Sequence, residues 1–146
     1  MESSIDTRQL VQAIGDGVVV ANADGKIVLW NPAAERIFGF TQAEAMGQSL
    51  DIIIPQRQQP RHWDGFTKTM ETGQTRYGND VLRVPAVHKD GHSISIAFTV
   101  ALLTGADQKV DAIVAIVRDE SARFAEDRAL KKRLVELESQ LAQART

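Results

Sequence analysis

The chain has no cysteine. That excludes disulfides, thiolate metal sites, a cysteine nucleophile and any cysteine-linked chromophore. Aromatics make up 5% of the residues, with one tyrosine among them. No apolar run approaches the ~20 residues of a membrane span. The N-terminus, MESSIDTRQLVQAIG, lacks a basic segment followed by an apolar one, so no secretory signal is expected. Charge of either sign is scarce in excess. A net charge of −2 gives no long-range pull on nucleic acid or anionic lipid. The expectation is a protein that is not nucleic-acid-bound or membrane-bound, and cytoplasmic.

What is present is ordinary for a globular domain. Hydrophobic content of 43% and charged content of 25% lie near the usual averages. At 146 residues the length suits one domain. Such a chain buries roughly two-thirds of its unfolded surface, enough for a core without staples.

Asp6 or Thr7 can cap a short helix to Ile14, with Leu10, Val11 and Ile14 on one face. The run from Gly17 to Ala21 reads as a strand, Asn22-Ala-Asp-Gly25 as a hairpin turn, and Lys26 to Trp30 as a second strand. Asn31-Pro32 then pairs a strong N-cap with a residue preorganised for the first helical position. That helix stops at Gly39. Thr41 and Glu44 form a capping-box pattern for another short helix, closed by Gly47. Leu50 and three isoleucines follow before Pro55. A longer helix is expected to begin between Pro55 and Pro60 and to end at Gly73, despite Gly65 inside it.

Residues Arg76 to His88 read as a long strand with Pro85 at an edge or bulge. Lys89-Asp90-Gly91 is a hairpin turn, with His88 and His92 flanking it and expected to be solvated. From His92 to Leu103 the alternation is clean. Ile94, Ile96, Phe98, Val100 and Leu102 face one way, and Ser93, Ser95, Ala97 and Thr99 the other. A last strand runs from Val110 to Arg118. The helix from Ser121 to Ala144 contains no Gly or Pro. Its leucines 130, 134, 137 and 141 are spaced four, three, four, a two-heptad seam suited to a homodimer, with Arg133 and Glu138 placed to pair across it.

The strand pair and the strand trio are each too small to fold alone and must share one sheet. The fold class is therefore α+β: five antiparallel strands, helices over one face, and a hollow between sheet and long helix. The organisation is an N-terminal helix at 1–15, a central domain at 16–120 and a C-terminal helix at 121–146. No Ser-His-Asp set, glycine-rich phosphate loop or paired metal-ligand spacing stands out, so an enzyme is not expected. His62 is the candidate ligand if a cofactor binds. Otherwise it is a helix-surface or core-edge residue.

The stretch DGVVVANADGKIVLWNPAAERIFGFTQAEAMGQSLDIIIP resembles the first half of a PAS domain, and HKDGHSISIAFTVALL with DAIVAIVRDES resembles the second. The resemblance covers about residues 6–121, with the terminal helix in the place of the family's signalling helix. Its carriers are the Asn-Pro-Ala-Ala-Glu run, the Gly-Phe pair, the Lys-Asp-Gly turn and the Arg-Asp near the end. PAS domains carry haem, flavin, small acids or nothing, so the fold alone leaves the cofactor open. Asp51–His62 is further similar to the haem-binding PAS domains of bacterial oxygen sensors, in which a helix histidine follows Ile-Pro or Met-Pro after six residues, as His62 follows Pro55 here. That likeness implies haem b on His62, with Lys68 and Arg76 meeting the propionates and Leu82, Phe98 and Val100 on the distal side. Two positions depart from the pattern. Gly65 stands where tyrosine is usual, and Leu82 or a near neighbour stands where a distal arginine or methionine is usual. Two readings remain: a haem-based sensor of a diatomic gas or redox state, and a PAS module with flavin, a small ligand or no cofactor that works by dimerisation. With no output domain in view, either passes its signal through the dimer or to a separate partner protein.

Overall fold

The computed structural model describes residues 4–75 and 80–145. In chain order the elements are α1 (Thr7–Ala13), β1 (Gly17–Asn22), β2 (Ile27–Trp30), α2 (Pro32–Phe38), α3 (Gln42–Ala45), two 3-10 turns (Leu50–Ile53 and Gln56–Gln58), α4 (Gln59–Thr72), β3 (Leu82–Val87), β4 (Ser93–Thr104), β5 (Val110–Asp119) and α5 (Ser121–Ala144). The strands form one sheet in the order β2-β1-β5-β4-β3. Every neighbouring pair is antiparallel.

Local chemistry sets the boundaries. The Asp6 carboxylate accepts from the amides of Arg8 and Gln9 and starts α1. The Asn22 side chain accepts from Asp24 N and Lys26 N, and Gly25 at φ 77° completes the β1–β2 turn. Thr41 and Glu44 exchange both capping-box hydrogen bonds. Gly39 and Gly73 end α2 and α4 in the left-handed conformation.

Asn31 does more than cap α2. It is fully buried. Its Oδ1 accepts from Ala34 N at 3.0 Å and from Val18 N at 2.8 Å. Its Nδ2 donates to Val11 O at 3.0 Å and Asp16 O at 3.1 Å. One amide thereby ties α1, the entry to β1 and the start of α2 together.

The core lies between one sheet face and the short helices. Val19, Trp30, Ala86, Ile94, Ile96 and Val117 meet Phe38 and Ala45 there, with Leu50, Ile52, Ile53 and Phe98 packed at its margin. Trp30 and Phe38 approach to 5.3 Å between ring centroids, and the Trp30 indole N–H donates to Phe40 O at 3.0 Å.

Two expectations change. The third strand is shorter than the apolar pattern implies. It spans Leu82–Val87, Asp80 and Val81 are not in it, and residues 76–79 lie outside the described residues. On β4 the face opposite the core is not uniformly open, because Ala97 is buried there. The segment Leu50–Ile53, given no element from sequence, winds into a 3-10 turn, with Ser49 Oγ accepting from Asp51 N at 3.1 Å. Leu10 of α1 and the leucine seam of α5 remain largely exposed, while Val11 and Ile14 are half-buried. Leu10 of α1 is 51% exposed, and the four leucines of α5 are between 45% and 68% exposed. Arg133 pairs within its own helix, with Glu136 at 3.4 Å.

Candidate functional site

Helix α4 follows a tight approach. Gln59 Nε2 donates to Ile54 O at 3.1 Å, and Pro60 sits in the first turn, where its missing N–H costs nothing. His62, Trp63, Phe66, Thr69 and Met70 are all buried or half-buried, at the spacing of one helical stripe. Arg61, Asp64, Gly65, Thr67 and Lys68 are exposed.

The stripe is fastened at Trp63. Its indole N–H donates to Asp51 Oδ1 at 2.7 Å. Its ring lies so close to Gly25 that a Cβ there would sit 2.3 Å from Trp63 Cη2. Leu50 N in turn donates to Gly25 O at 3.1 Å. The β1–β2 turn, the 3-10 turn and α4 therefore meet at one clasp, and His62 is the next residue along. At the other end of α4, Gly73 approaches Val110 at the start of β5.

His62 stacks edge-on against Trp63 at 4.7 Å and lies 6.1 Å from the Phe66 ring. Its Nδ1 is shut off from solvent and has no hydrogen-bond partner among the described residues. Burial pushes its pKa below the ordinary histidine value, partly opposed by the Asp51 carboxylate. The ring is therefore neutral near pH 7, the form that ligates a metal. An orphaned buried ring nitrogen costs about 1–3 kcal/mol unless something satisfies it. That fits a site for an imidazole-ligated group.

Leu82 and Phe98 face each other across the β3–β4 ladder, both half-buried, and Val100 follows on the same face of β4. These three form one apolar patch. Lys68 is exposed, about 240° around the helix from His62. The structure does not bring it beside the histidine. Arg76 lies outside the described residues. The clasp residues Trp63, Asp51 and Gly25 were not singled out from sequence. A polar residue inside an isoleucine run and a tryptophan beside the histidine were the available signs.

One antiparallel five-stranded sheet with short helices packed on one face, and a half-buried histidine on the longer helix α4, defines an α+β module. The chain belongs to the PAS family, whose model, described as PAS fold, matches residues 5–119. It is 28% identical over 119 residues to the oxygen sensor protein DosP of Escherichia coli, covering 82% of this chain and 15% of that protein. It is 27% identical over 135 residues to the sensor protein FixL of Bradyrhizobium diazoefficiens, covering 92% of this chain and 25% of that one. The chain thus spans a quarter or less of the length of these relatives. Among solved structures, the PAS domain of a protein from Colwellia psychrerythraea matches with a TM-score of 0.69 at 21% identity, over 80% of this chain and 95% of the other, which supports the fold. Among the described residues no helix is long and apolar enough to cross a membrane.

Proposed function

We propose that this chain is a sensory PAS domain, not an enzyme, that binds haem b through His62 and responds to a diatomic gas or to redox state. The observation that carries the reading is the buried, unpartnered Nδ1 of a neutral histidine on α4. The similarity to DosP, an oxygen sensor by name, and to FixL, a sensor by name, supports it. Bound haem would supply an iron centre able to take a diatomic ligand or change oxidation state. The rest falls to the chain's own residues. The Asp51–Trp63–Gly25 clasp holds α4 and keeps His62 from swinging out. Leu82, Phe98 and Val100 exclude water and offer no hydrogen-bond donor, a setting that favours carbon monoxide and nitric oxide over oxygen. Lys68 and Arg76 are assigned to the propionates.

The route outward runs along β4. Ser95 N donates to Ser121 Oγ at 3.0 Å, and Glu120 N donates to Ser95 O at 2.7 Å. A shift of β4 near Phe98 is thereby handed to the first residue of α5. We assign the exposed leucines of α5, with Leu10 of α1, to a homodimer that relays the change to a separate signalling partner.

The test is an absorption spectrum. Protein expressed with ample haem should show a Soret band, and His62→Ala should lose it while far-UV circular dichroism stays unchanged. No Soret band in the wild type, or an unaltered one in His62→Ala, would sink the reading.

A further inference from the structure

The β3–β4 turn was expected to leave His88 and His92 free in solvent. His92 is exposed as expected, but His88 is half-buried, and the two rings are not independent of each other. The two imidazoles stack at 4.6 Å between centroids and 26° between planes. Both present Nδ1 to the same oxygen of Asp90. His88 Nδ1 accepts from Asp90 N at 3.2 Å, a bond a metal ion would replace, and stands 3.2 Å from Asp90 Oδ1, with which His92 Nδ1 is in direct contact. One ligand atom from each of the three residues lies within 4.8 Å of the others. On a tetrahedral zinc ion such atoms stand about 3.3 Å apart, from bond lengths of about 2.0–2.1 Å.

The backbone fixes this convergence. His88 N donates to His92 O at 3.0 Å, and Gly91 N donates to His88 O at 2.8 Å. His92 N donates to Asp90 Oδ1 at 3.0 Å, aiming the carboxylate between the rings. Gly91, at φ 94°, takes the left-handed position that the turn needs. His88 is wedged against Gly39, where a Cβ would meet its Cε1 at 2.4 Å. The competing cation is led away, since Lys89 pairs with Glu44 of α3. Three donors are thus gathered within five residues, and little ordering is left for a ligand to impose.

We propose that His88, Asp90 and His92 form a surface binding site for one divalent transition-metal ion of the zinc class, independent of His62. Two imidazoles and one carboxylate suit zinc, copper(II) or nickel(II), and not the oxygen-seeking calcium or magnesium. Three protein ligands leave a further position for water. The bound ion would clamp the tip of the β3–β4 hairpin. Because His88 packs on Gly39 and Lys89 N donates to Phe38 O at 2.8 Å, the clamp would also hold the hairpin to the end of α2.

The experiment is titration of the tag-free full chain with zinc chloride, followed by calorimetry and by the histidine ring resonances in NMR. One ion per chain should bind with saturation at micromolar free zinc, and the His88 and His92 signals should move. His92→Asn, at an exposed position, should weaken binding at least about tenfold with an unchanged urea midpoint, and Asp90→Asn should weaken it in the same direction. His62→Ala should bind zinc as the wild type does. The proposal is overturned by the absence of saturable one-to-one binding up to millimolar zinc. It is equally overturned if His92→Asn binds unchanged, or if the binding is lost in His62→Ala and kept in His92→Asn.

Discussion

Replacing Asn31 by alanine removes an amide that holds three segments at once. Its Oδ1 serves Val18 N and Ala34 N, and its Nδ2 serves Val11 O and Asp16 O, at 2.8–3.1 Å and with no solvent exposure. Each hydrogen bond contributes about 0.5–1.5 kcal/mol net, and each buried group left without a partner costs about 1–3 kcal/mol. Loss of an N-cap alone typically costs about 1 kcal/mol. These terms overlap, so we expect a total of roughly 3–5 kcal/mol. That is a large share of the ~5–15 kcal/mol that holds a domain folded. For a chain of this length it corresponds to a fall in Tm of roughly 6–20 °C. Urea unfolding followed by far-UV circular dichroism measures it, with an unchanged m-value as the sign that only stability moved. A loss below about 1 kcal/mol would refute the hub role. Asn31→Asp sharpens the test. The acceptor is kept, but an oxygen now faces the carbonyls of Val11 and Asp16. Burial and the two facing carbonyls push the new carboxyl's pKa up, the two amides on the retained oxygen pull it down, and we expect the first to win, leaving it above the ordinary aspartate value of ~3.9. A raised pKa means full stability below ~pH 4 and loss as pH climbs through the folded value. The gap between Asn31→Asp and wild type should thus widen from pH 4 to pH 7. A gap constant with pH would show that the Nδ2 contacts do not matter.

Gly25→Ala should cost more than Gly47→Ala, although both glycines have similar positive φ, because the added Cβ meets Trp63 only at Gly25. Equal urea midpoints for the two variants would remove the clasp from the argument. In haem-free protein, burial lowers the His62 pKa, so the unfolded chain binds the proton more readily and stability should fall as pH drops below ~6.5. His62→Leu should lose that component of the slope, and an identical pH profile would count against a buried, neutral ring. A chain ending at Ser121 should sediment as a weaker dimer or as a monomer, since each buried leucine is worth about 1.5–3 kcal/mol. An unchanged association constant would place the interface elsewhere.

Much of the fold was legible because it is written in local chemistry. The Asp6, Asn31 and Thr41 caps, the Asn22–Gly25 turn and the Gly73 stop all act within a few residues, and the structure carries each of them. The one-sheet deduction also held, because neither strand group could close a core by itself. What failed was local pattern without its partner. The strand before His88 looked longer than it is, since a ladder needs a neighbour, and β3 pairs with β4 only from Leu82 to Val87. Ala97 was assigned to the open face by alternation. Small size and the start of α5 across the β4 backbone, where Ser95 meets Ser121, are not visible in a period of two.

The site divides along the same line. His62 could be picked out by its spacing from Pro55, and Leu82 opposite Phe98 follows from two strands each read correctly in that region. Six residues along a helix carry a side chain well past its starting face, and Lys68 is exposed while His62 is not. The contacts that seat His62 are longer in sequence still. Trp63 finds Asp51 twelve residues back and Gly25 thirty-eight residues back. The glycine in the hairpin turn thus has two duties, a left-handed backbone and room for an indole, and sequence reveals only the first. The histidine turn shows the converse. His88 and His92 are four residues apart across a hairpin tip, where solvation is expected; His92 stays exposed, and only His88 is half-buried. The close pass of Gly39 turns His88 inward and brings its ring over His92. A residue's neighbours across the fold, and not its own position in a turn, decide how far it faces solvent.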